Sequence, residues 1–244
     1  MIPYERQAKI VKLLENNTLL KIEDLKENLP GVSISTLRRD LKELEKDNRV
    51  QLLTGGAVKL NSSISELPIQ MKSTFYVEKK NHIADLAMAQ VNDEDMIYID
   101  SGSTCTILLE KMIHKNVHIV TSNTSIFNVF SQATARITIL GGEYNPAISS
   151  LSGNLTEMNI GHFIFDKAFL GGNGVDVQYG VTTPDLKEAV KKSTIIKHAK
   201  QSFLLCDSSK FHQVANVKSF GLDAVTLISD KGDDQLAEQM NVIF

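Results

Sequence analysis

Short apolar runs alternate with helical stretches from about residue 77 onward, and this alternation constrains the fold of the 244-residue chain more than any other feature. A buried parallel strand is a short apolar run, and the crossover to the next parallel strand is usually a helix. The pattern therefore predicts an α/β domain with a mostly parallel sheet covered by helices on both faces. The runs are 96–100, 117–121, 137–140, 167–170, 202–206 and 225–229, and the clearest helical stretches are 104–113, 185–200 and 233–240.

The first sixty residues follow another pattern, that of three short helices and a hairpin. Ile10 and Leu14 give the first helix an apolar face, and the second helix spans 22–29 before Pro30-Gly31. Ser33 is placed to cap the third helix. Residues 49–58 predict two short strands with Gly-Gly near the bend. We therefore expect a helical domain at 1–60, a linker at 61–76 that begins with the polar, serine-rich segment 61–68, and the α/β domain at 77–244.

The third predicted helix has two distinct faces. Leu37, Leu41 and Leu44 lie within about 60° of one another on a helical projection, and hydroxyls and cations occupy the opposite face and its flanks. A run of charges alone more often solvates an exposed face, but a preceding helix, a tight turn and a Gly-Gly hairpin favour insertion into the DNA major groove. The candidate DNA-binding residues are Ser35, Thr36, Arg38, Arg39 and Lys42.

Charge and composition are compatible with an intracellular DNA-binding protein. The net charge is −3, but the first sixty residues carry 11 Lys and Arg against 9 Asp and Glu, whereas the remainder carries 15 against 20. Two cysteines without a CxxC motif favour a reducing compartment. The sequence shows neither a secretory signal nor an apolar run of membrane-spanning length, so we expect a cytoplasmic protein with no membrane partner.

The first domain resembles the winged helix-turn-helix of DeoR-type bacterial transcription regulators. The resemblance is carried by 33–41, which contains Thr-x-Arg-Arg-Asp-Leu, and by Gly-Gly-Ala-Val at 55–58. Two departures stand out. Pro30 lengthens the turn by one residue, and Gln51, Leu52 and Thr54 stand where the wing of relatives often carries Arg-Arg-x-His. Fewer cations on the wing imply a shallower salt dependence of DNA binding.

Polar loops follow the predicted strands of the second domain, and in parallel sheets ligand sites collect at these carboxyl ends. Residues 100–104, Asp-Ser-Gly-Ser-Thr, lead into a helix whose first amides are free to bind an anion, although a plain capped helix is the commoner meaning of such a turn. Lys187 and Lys191 share a face of the 185–200 helix, and Lys192 lies about 100° away. The other polar loops are 121–124, 140–143, 170–174 and 207–211.

These loops resemble, in order, the effector domain of the same family, whose fold is similar to ribose-5-phosphate isomerase. The resemblance implies a phosphorylated sugar or related metabolite as effector, with its phosphate at 101–104. Relatives often carry an Arg before the helix at 77–91, where Lys72 is the nearest cation here, so a bidentate contact is missing. The candidate ligand-binding residues are Asp100, Ser101, Gly102, Ser103, Thr104, Asn123, Glu188, Lys191 and Lys210.

Other interpretations rank lower. A sugar-phosphate isomerase would use Glu188, Asp176 or Asp207 as its base, but an enzyme has no need of a DNA-reading domain. Cys105 is a redox switch or a small residue packed under its loop, the latter being favoured. His114 and His118 straddle a helix-to-strand junction, so we expect no metal. An RNA-binding module or plain scaffold ranks lowest, because the third helix lacks interleaved aromatics.

The sequence thus predicts a two-domain regulator without catalytic activity or cofactor. We expect it to be a repressor of a sugar-catabolic operon, which binds double-stranded operator DNA under the control of a phosphorylated sugar. One recognition helix per protomer requires at least a dimer on palindromic or repeated half-sites, and the family resemblance also implies a homo-oligomer. Binding of the metabolite to the second domain would shift the position of the DNA-binding domain through the 61–68 segment.

Overall fold

The computed structural model describes residues 2–15, 17, 19–46, 49–53, 55–60, 69–128 and 133–244. The chain forms two compact units, Met1–Ser65 and Glu66–Phe244. The predicted linker residues 61–68 and Thr54 of the predicted wing lie outside the described residues. In the described ranges no helix combines the length and the apolar character needed to cross a membrane.

The N-terminal unit contains the three predicted helices and a small antiparallel sheet. Ser33 caps the third helix, as predicted, because its Oγ accepts the Thr36 amide at 3.1 Å. The elements are α1 Pro3–Glu15, β1 Leu20–Lys21, α2 Ile22–Asn28, α3 Ile34–Lys46, β2 Val50–Leu53 and β3 Ala57–Leu60. The sheet has the order β1-β3-β2, and its strand β1 is too short to have been seen in the sequence. We call the β2–β3 hairpin the wing.

A seven-stranded parallel sheet forms the centre of the C-terminal unit, which confirms the predicted α/β class. The strands are β4 Met96–Ile99, β5 His118–Thr121, β6 Arg136–Ile139, β9 Phe165–Gly171, β12 Ala199–Leu205, β14 Thr226–Ile228 and β15 Val242–Ile243. Each predicted apolar run overlaps one of these strands, and the strand order is β15-β14-β12-β9-β4-β5-β6.

Helices and two small antiparallel sheets complete this unit. The helices are α4 Ile69–Thr74, α5 Val77–Met88, α6 Ser103–Met112, α7 Asn154–Ile160, α8 Leu186–Lys197 and α9 Asp234–Ala237. The added strands are β7 Glu143–Asn145, β8 Ser150–Ser152, β10 Gly174–Asp176, β11 Gly180–Thr183 and β13 Val217–Phe220. The sequence did not indicate the two added sheets, β7–β8 and β10-β11-β13, and α4 lies in the range expected to be linker.

Two apolar cores lie on opposite faces of the parallel sheet. Successive side chains of a strand point to opposite faces, so Tyr98 belongs to one core and Ile97 and Ile99 to the other. All three are completely buried. Burial on both faces explains why the strands appear in the sequence as continuous apolar runs. The polar loops of the sequence analysis follow the carboxyl ends of these strands.

Candidate functional site

The outer face of α3 carries the predicted DNA-binding residues. Leu37, Leu41 and Leu44 are at most 1% exposed and fix the helix to its unit. The opposite face is open, with Ser35, Arg38, Arg39 and Lys42 exposed. Thr36 is half-buried, and its Oγ1 shares a hydrogen bond of 2.8 Å with Ser33 Oγ. The structure therefore presents three cations and a hydroxyl on one accessible face, and such groups can bond base edges in the major groove.

A second polar region lies at the carboxyl ends of β4, β5 and β12. Gly102 precedes α6 with a φ of +120°, a conformation that favours glycine, and the turn leads into the helix N-terminus. Ser103 and Thr104 are buried residues, each 8% exposed. Among the described residues their hydroxyls form no side-chain hydrogen bond. Two hydroxyls and the first amides of a helix are thus available to an anion.

Behind this turn, two lysines of α8 meet two carboxylates in a buried ion cluster. Lys192 Nζ contacts Asp100 Oδ2 directly, and Lys191 Nζ lies 3.6 Å from Asp100 Oδ1. Lys191 Nζ also lies 2.9 Å from Glu188 Oε1. None of the four side chains is more than 6% exposed. The charges balance, so each ion has a partner that offsets its loss of hydration.

The pKa values of the cluster follow from burial and pairing. Burial alone would raise the pKa of Asp100, but the neighbouring Lys192 and Lys191 outweigh it and lower that pKa. For Lys192, burial favours a lower pKa, and the attraction of Asp100 and Glu188 outweighs it and raises that pKa. Both groups therefore stay charged at neutral pH.

Lys191 also ties α8 to β8 and to the loop after β5. Its Nζ donates to Ser150 Oγ at 2.7 Å, to Ser122 Oγ at 3.0 Å and to the Leu151 carbonyl at 3.2 Å. Ser101 Oγ donates to Ser150 Oγ at 2.7 Å. The candidate ligand residues Ser101, Glu188 and Lys191 thus lie close together, and each of them forms a hydrogen bond with Ser150 Oγ.

Asn123 takes a comparable internal position. It is completely buried, and its Nδ2 donates to Thr106 Oγ1 at 2.9 Å. Because Thr106 lies in the first turns of α6, this bond fixes the loop after β5 to the helix that begins beside Gly102.

Lys210 lies in a turn after β12, close to a lysine that the sequence analysis missed. Lys80 of α5 is 4% exposed, and its Nζ donates to the Lys72 carbonyl. Burial lowers the pKa of Lys80 to about 8, against the attraction of Asp207 and with the help of the neighbouring Lys210. The available signal was spacing, because Lys80 shares the buried stripe of α5 with Ile83, Ala84 and Ala87.

Lys192 is the second missed residue. On the helical projection Lys192 lies about 100° from Lys191, on another side of α8. In the structure both of these sides of α8 are covered, so Lys191 and Lys192 are both buried. Lys187 and Lys191 share a face of α8 by spacing, but only Lys191 is buried, because Lys187 is exposed and pairs with Glu143 Oε2 at 2.6 Å. Its position before the covered part of α8 leaves it in solvent.

Two other chemistries find no support in the described residues. Their His, Cys, Asp and Glu side chains nowhere gather in a group of three that could hold a metal ion. Cys105 is completely buried, and burial raises the pKa of its thiol. A raised pKa opposes thiolate formation and so argues against the redox-switch interpretation.

Comparison with protein families matches both units. Residues 6–63 match the DeoR-like helix-turn-helix domain, and residues 76–231 match the DeoR C terminal sensor domain. An uncharacterised helix-turn-helix transcriptional regulator of Bacillus subtilis, FruR, is 32% identical over 96% of this chain and 93% of its own. The lactose phosphotransferase system repressor of Streptococcus mutans is 30% identical over 97% and 96%. GlpR of Haloferax volcanii is 30% identical over 95% and 91%.

Solved structures resemble the chain more distantly. Ribose 5-phosphate isomerase A of Methanocaldococcus jannaschii covers 54% of this chain and 53% of its own, with a TM-score of 0.39 and 17% identity. The translation initiation factor eIF-2B of Pyrococcus horikoshii OT3 covers 91% and 77%, with a TM-score of 0.45 and 13% identity.

Proposed function

The chain belongs to the DeoR family of transcription regulators, and from this premise we propose that it is a repressor of a sugar-catabolic operon whose affinity for operator DNA is set by a phosphorylated sugar. A family of regulators gives no support to the isomerase alternative. The proposal assigns residues 1–60 to the DNA-binding domain and residues 77–244 to the effector-binding domain. The phosphorylated sugar is the small-molecule ligand of the second domain. The lactose system repressor, a relative that spans nearly the whole chain, supports the assignment to sugar metabolism.

DNA binding rests on the exposed face of α3. Arg38 and Arg39 reach outward beside Lys42, whereas the leucines of the same helix are buried. Arg can bond a guanine edge with two hydrogen bonds, and Ser, Thr and Lys can hold phosphates. Because a single helix of this kind reads only one half-site, the active form is at least a homodimer.

Effector binding rests on the turn before α6, and this is the observation that carries the sensor assignment. Ser103 and Thr104 offer hydroxyls and helix N-terminal amides in a position where the Gly102 backbone leaves open space. Asp100, Glu188, Lys191 and Lys192 stand directly behind it as a buried cluster with no net charge. An anionic effector at the turn would shift the charged side chains of this cluster. Because Glu188 and Lys191 belong to α8, the shift would move that helix and so transmit effector binding to the rest of the protein.

One experiment tests both halves. Fluorescence anisotropy measures binding to duplexes from the protein's own promoter neighbourhood at low salt, and a thermal-shift screen measures binding of pentose and hexose phosphates. The Arg38→Ala/Arg39→Ala variant should lose DNA binding and keep the thermal shift. Ser103→Glu should keep DNA binding and lose the response to the sugar phosphate, whereas Thr134→Glu, at the opposite end of the sheet, should keep both. Wild-type protein that binds none of these duplexes would disprove the proposal.

A further inference from the structure

A groove of about 550 Å³ lies between α3 and the wing of the N-terminal unit. Arg38, Arg39 and Lys42 of α3 line one part of it, and Ile22, Leu52 and Leu53 line another. The leucines are half-buried and so remain accessible on the wing. The groove therefore combines cations with an apolar wall.

A side chain of α3 holds the wing in place beside this groove. Strand β2 lies at the edge of its three-stranded sheet, where one row of backbone groups has no neighbouring strand. The Leu52 amide on β2 donates to Glu45 Oε1 at 2.9 Å. Because Glu45 belongs to α3, the distance between wing and helix is set by a bond within the unit. The groove is thus a built feature of the fold.

The cations and the apolar wall of the groove together match the chemistry of one sugar-phosphate strand of a DNA duplex. A sugar-phosphate strand alternates an anion with a carbon-rich ring, and the groove offers cations and leucine side chains within one space. When a recognition helix enters the major groove, the strand that borders that groove runs beside the helix. On this side of α3, it would run between the helix and the wing.

We propose that this groove seats one sugar-phosphate strand of the operator, with phosphates on Arg38 and Lys42 and deoxyribose rings against Leu52 and Leu53. The inference rests on the proposed function of α3 and deepens it. It gives the wing a contact that needs no cation, in a chain where Gln51, Leu52 and Leu53 occupy the strand. Such a contact adds affinity without counterion release, and it is the same for every base sequence.

The test uses the full chain and a mixed-sequence duplex of about two helical turns. Its affinity is measured by fluorescence anisotropy between about 50 and 200 mM NaCl. Leu53→Gln should weaken binding by about three- to ten-fold at each salt concentration and leave the slope of log K against log salt unchanged. Leu53→Arg should steepen that slope by about 0.9, because it adds one phosphate contact.

Two controls separate this inference from the proposed function. Leu60→Gln alters a half-buried leucine of the same hairpin that does not line the groove, and it should bind like wild type. Arg38→Ala should make the slope shallower by about 0.9. Melting curves check each variant, and Leu53→Ala replaces Leu53→Gln if the latter is unstable.

The outcomes are distinct. Leu53 variants with wild-type affinity, next to a weakened Arg38→Ala, would overturn the groove contact and leave the proposed function standing. A Leu53 variant that binds DNA normally but changes the response to sugar phosphates would mean that a small molecule occupies the groove, which also overturns the inference. Wild-type protein that binds neither this duplex nor those from its promoter neighbourhood would overturn both.

Discussion

Asp40 of α3 and Arg6 of α1 form a buried, bidentate ion pair. Arg6 Nη2 donates to Asp40 Oδ1 at 2.9 Å, and Arg6 Nε donates to Asp40 Oδ2. The Arg6 side chain is 8% exposed and the Asp40 side chain 1%. The planar guanidinium matches the carboxylate in two parallel hydrogen bonds, so the pair fixes the orientation of α3 as well as its distance from α1. The orientation of the exposed face of α3, where we propose that DNA binds, is therefore fixed by an ion pair on the buried side of the helix.

Replacing Asp40 with Ala should destabilise the N-terminal unit by about 3–5 kcal/mol, because it removes the carboxylate that accepts both hydrogen bonds of the buried Arg6 guanidinium. Thermal unfolding followed by circular dichroism should show an earlier transition for this unit. Glu43→Ala is the matched control, since Glu43 is an exposed acid of the same helix that accepts the Gln7 amide at 2.5 Å, and it should cost about 0.5 kcal/mol or less. Equal stability of the two variants would contradict the role of the pair.

The sequence predicted the elements that periodicity determines. Strands buried on both faces, such as β4, form apolar runs, and the leucines of α3 mark its buried face. Asp40 also lies on that face, at about −60° from Leu37 on the projection. Its partner Arg6 is 34 residues away, however, and no local pattern indicates such a pair. Strands as short as β1 and β15, two residues each, are invisible for a related reason, since they exist only through pairing with distant strands.

In the buried ion cluster of the candidate site, too, the sequence indicated some of the residues but not which of them pair. The strand-end position identified the loop that begins at Asp100, because the carboxyl ends of parallel strands meet at one edge. Glu188 lies on α8 and was named only from the family resemblance. Which lysine meets Asp100 depended on how α8 packs, and Lys192 rather than Lys187 reaches it. Helical spacing gives the angle between two side chains, but burial of both faces of α8 is a property of the assembled sheet.

Replacing Asp100 with Asn should destabilise the C-terminal unit by about 3–5 kcal/mol at pH 7, because it leaves Lys192 buried without its closest anion. The pKa of Asp100 is lowered in the folded protein, so its stabilising contribution is present above about pH 3.9, the unfolded value, and is lost as the pH falls through the folded value. The difference between wild type and variant should therefore shrink below about pH 4. Urea unfolding at pH 7 and pH 3 measures it.

Asp85→Asn provides the control for that experiment. Asp85 pairs with Lys111 at 2.5 Å on the surface, with its side chain 57% exposed. Loss of this surface ion pair should lower the free energy of unfolding by less than about 1 kcal/mol. A difference between wild type and Asp100→Asn that stays constant with pH would show that the Asp100 carboxylate is not held by its lysines.

Cys105 and Cys206 should not react with a thiol reagent while the protein is folded. Both are at most 2% exposed, and burial raises the pKa of each thiol. Only the thiolate is an effective nucleophile, so both access and charge oppose the reaction. Ellman's reagent should find no fast-reacting thiol in native protein and two in guanidinium. A fast-reacting Cys105 in the native protein would restore the redox-switch interpretation.

Lys80 should make the C-terminal unit more stable as the pH rises from about 8 toward 10. Burial lowers the pKa of Lys80 to about 8 in the folded protein, whereas the unfolded value is about 10.4. Between these values the unfolded chain binds more protons than the folded one, so the free energy of unfolding increases with pH. The full gain is about 3 kcal/mol.

The Lys80→Met variant isolates this gain, because methionine fills a similar volume and does not titrate. Urea unfolding at pH 7, 8, 9 and 10 should show wild type gaining stability relative to Lys80→Met with each step above about pH 8. Lys115→Met, an exposed lysine after α6, is the control and should run parallel to wild type. Parallel curves for wild type and Lys80→Met would mean that Lys80 keeps an ordinary pKa and stands in solvent, which would contradict its buried position beside Asp207 and Lys210.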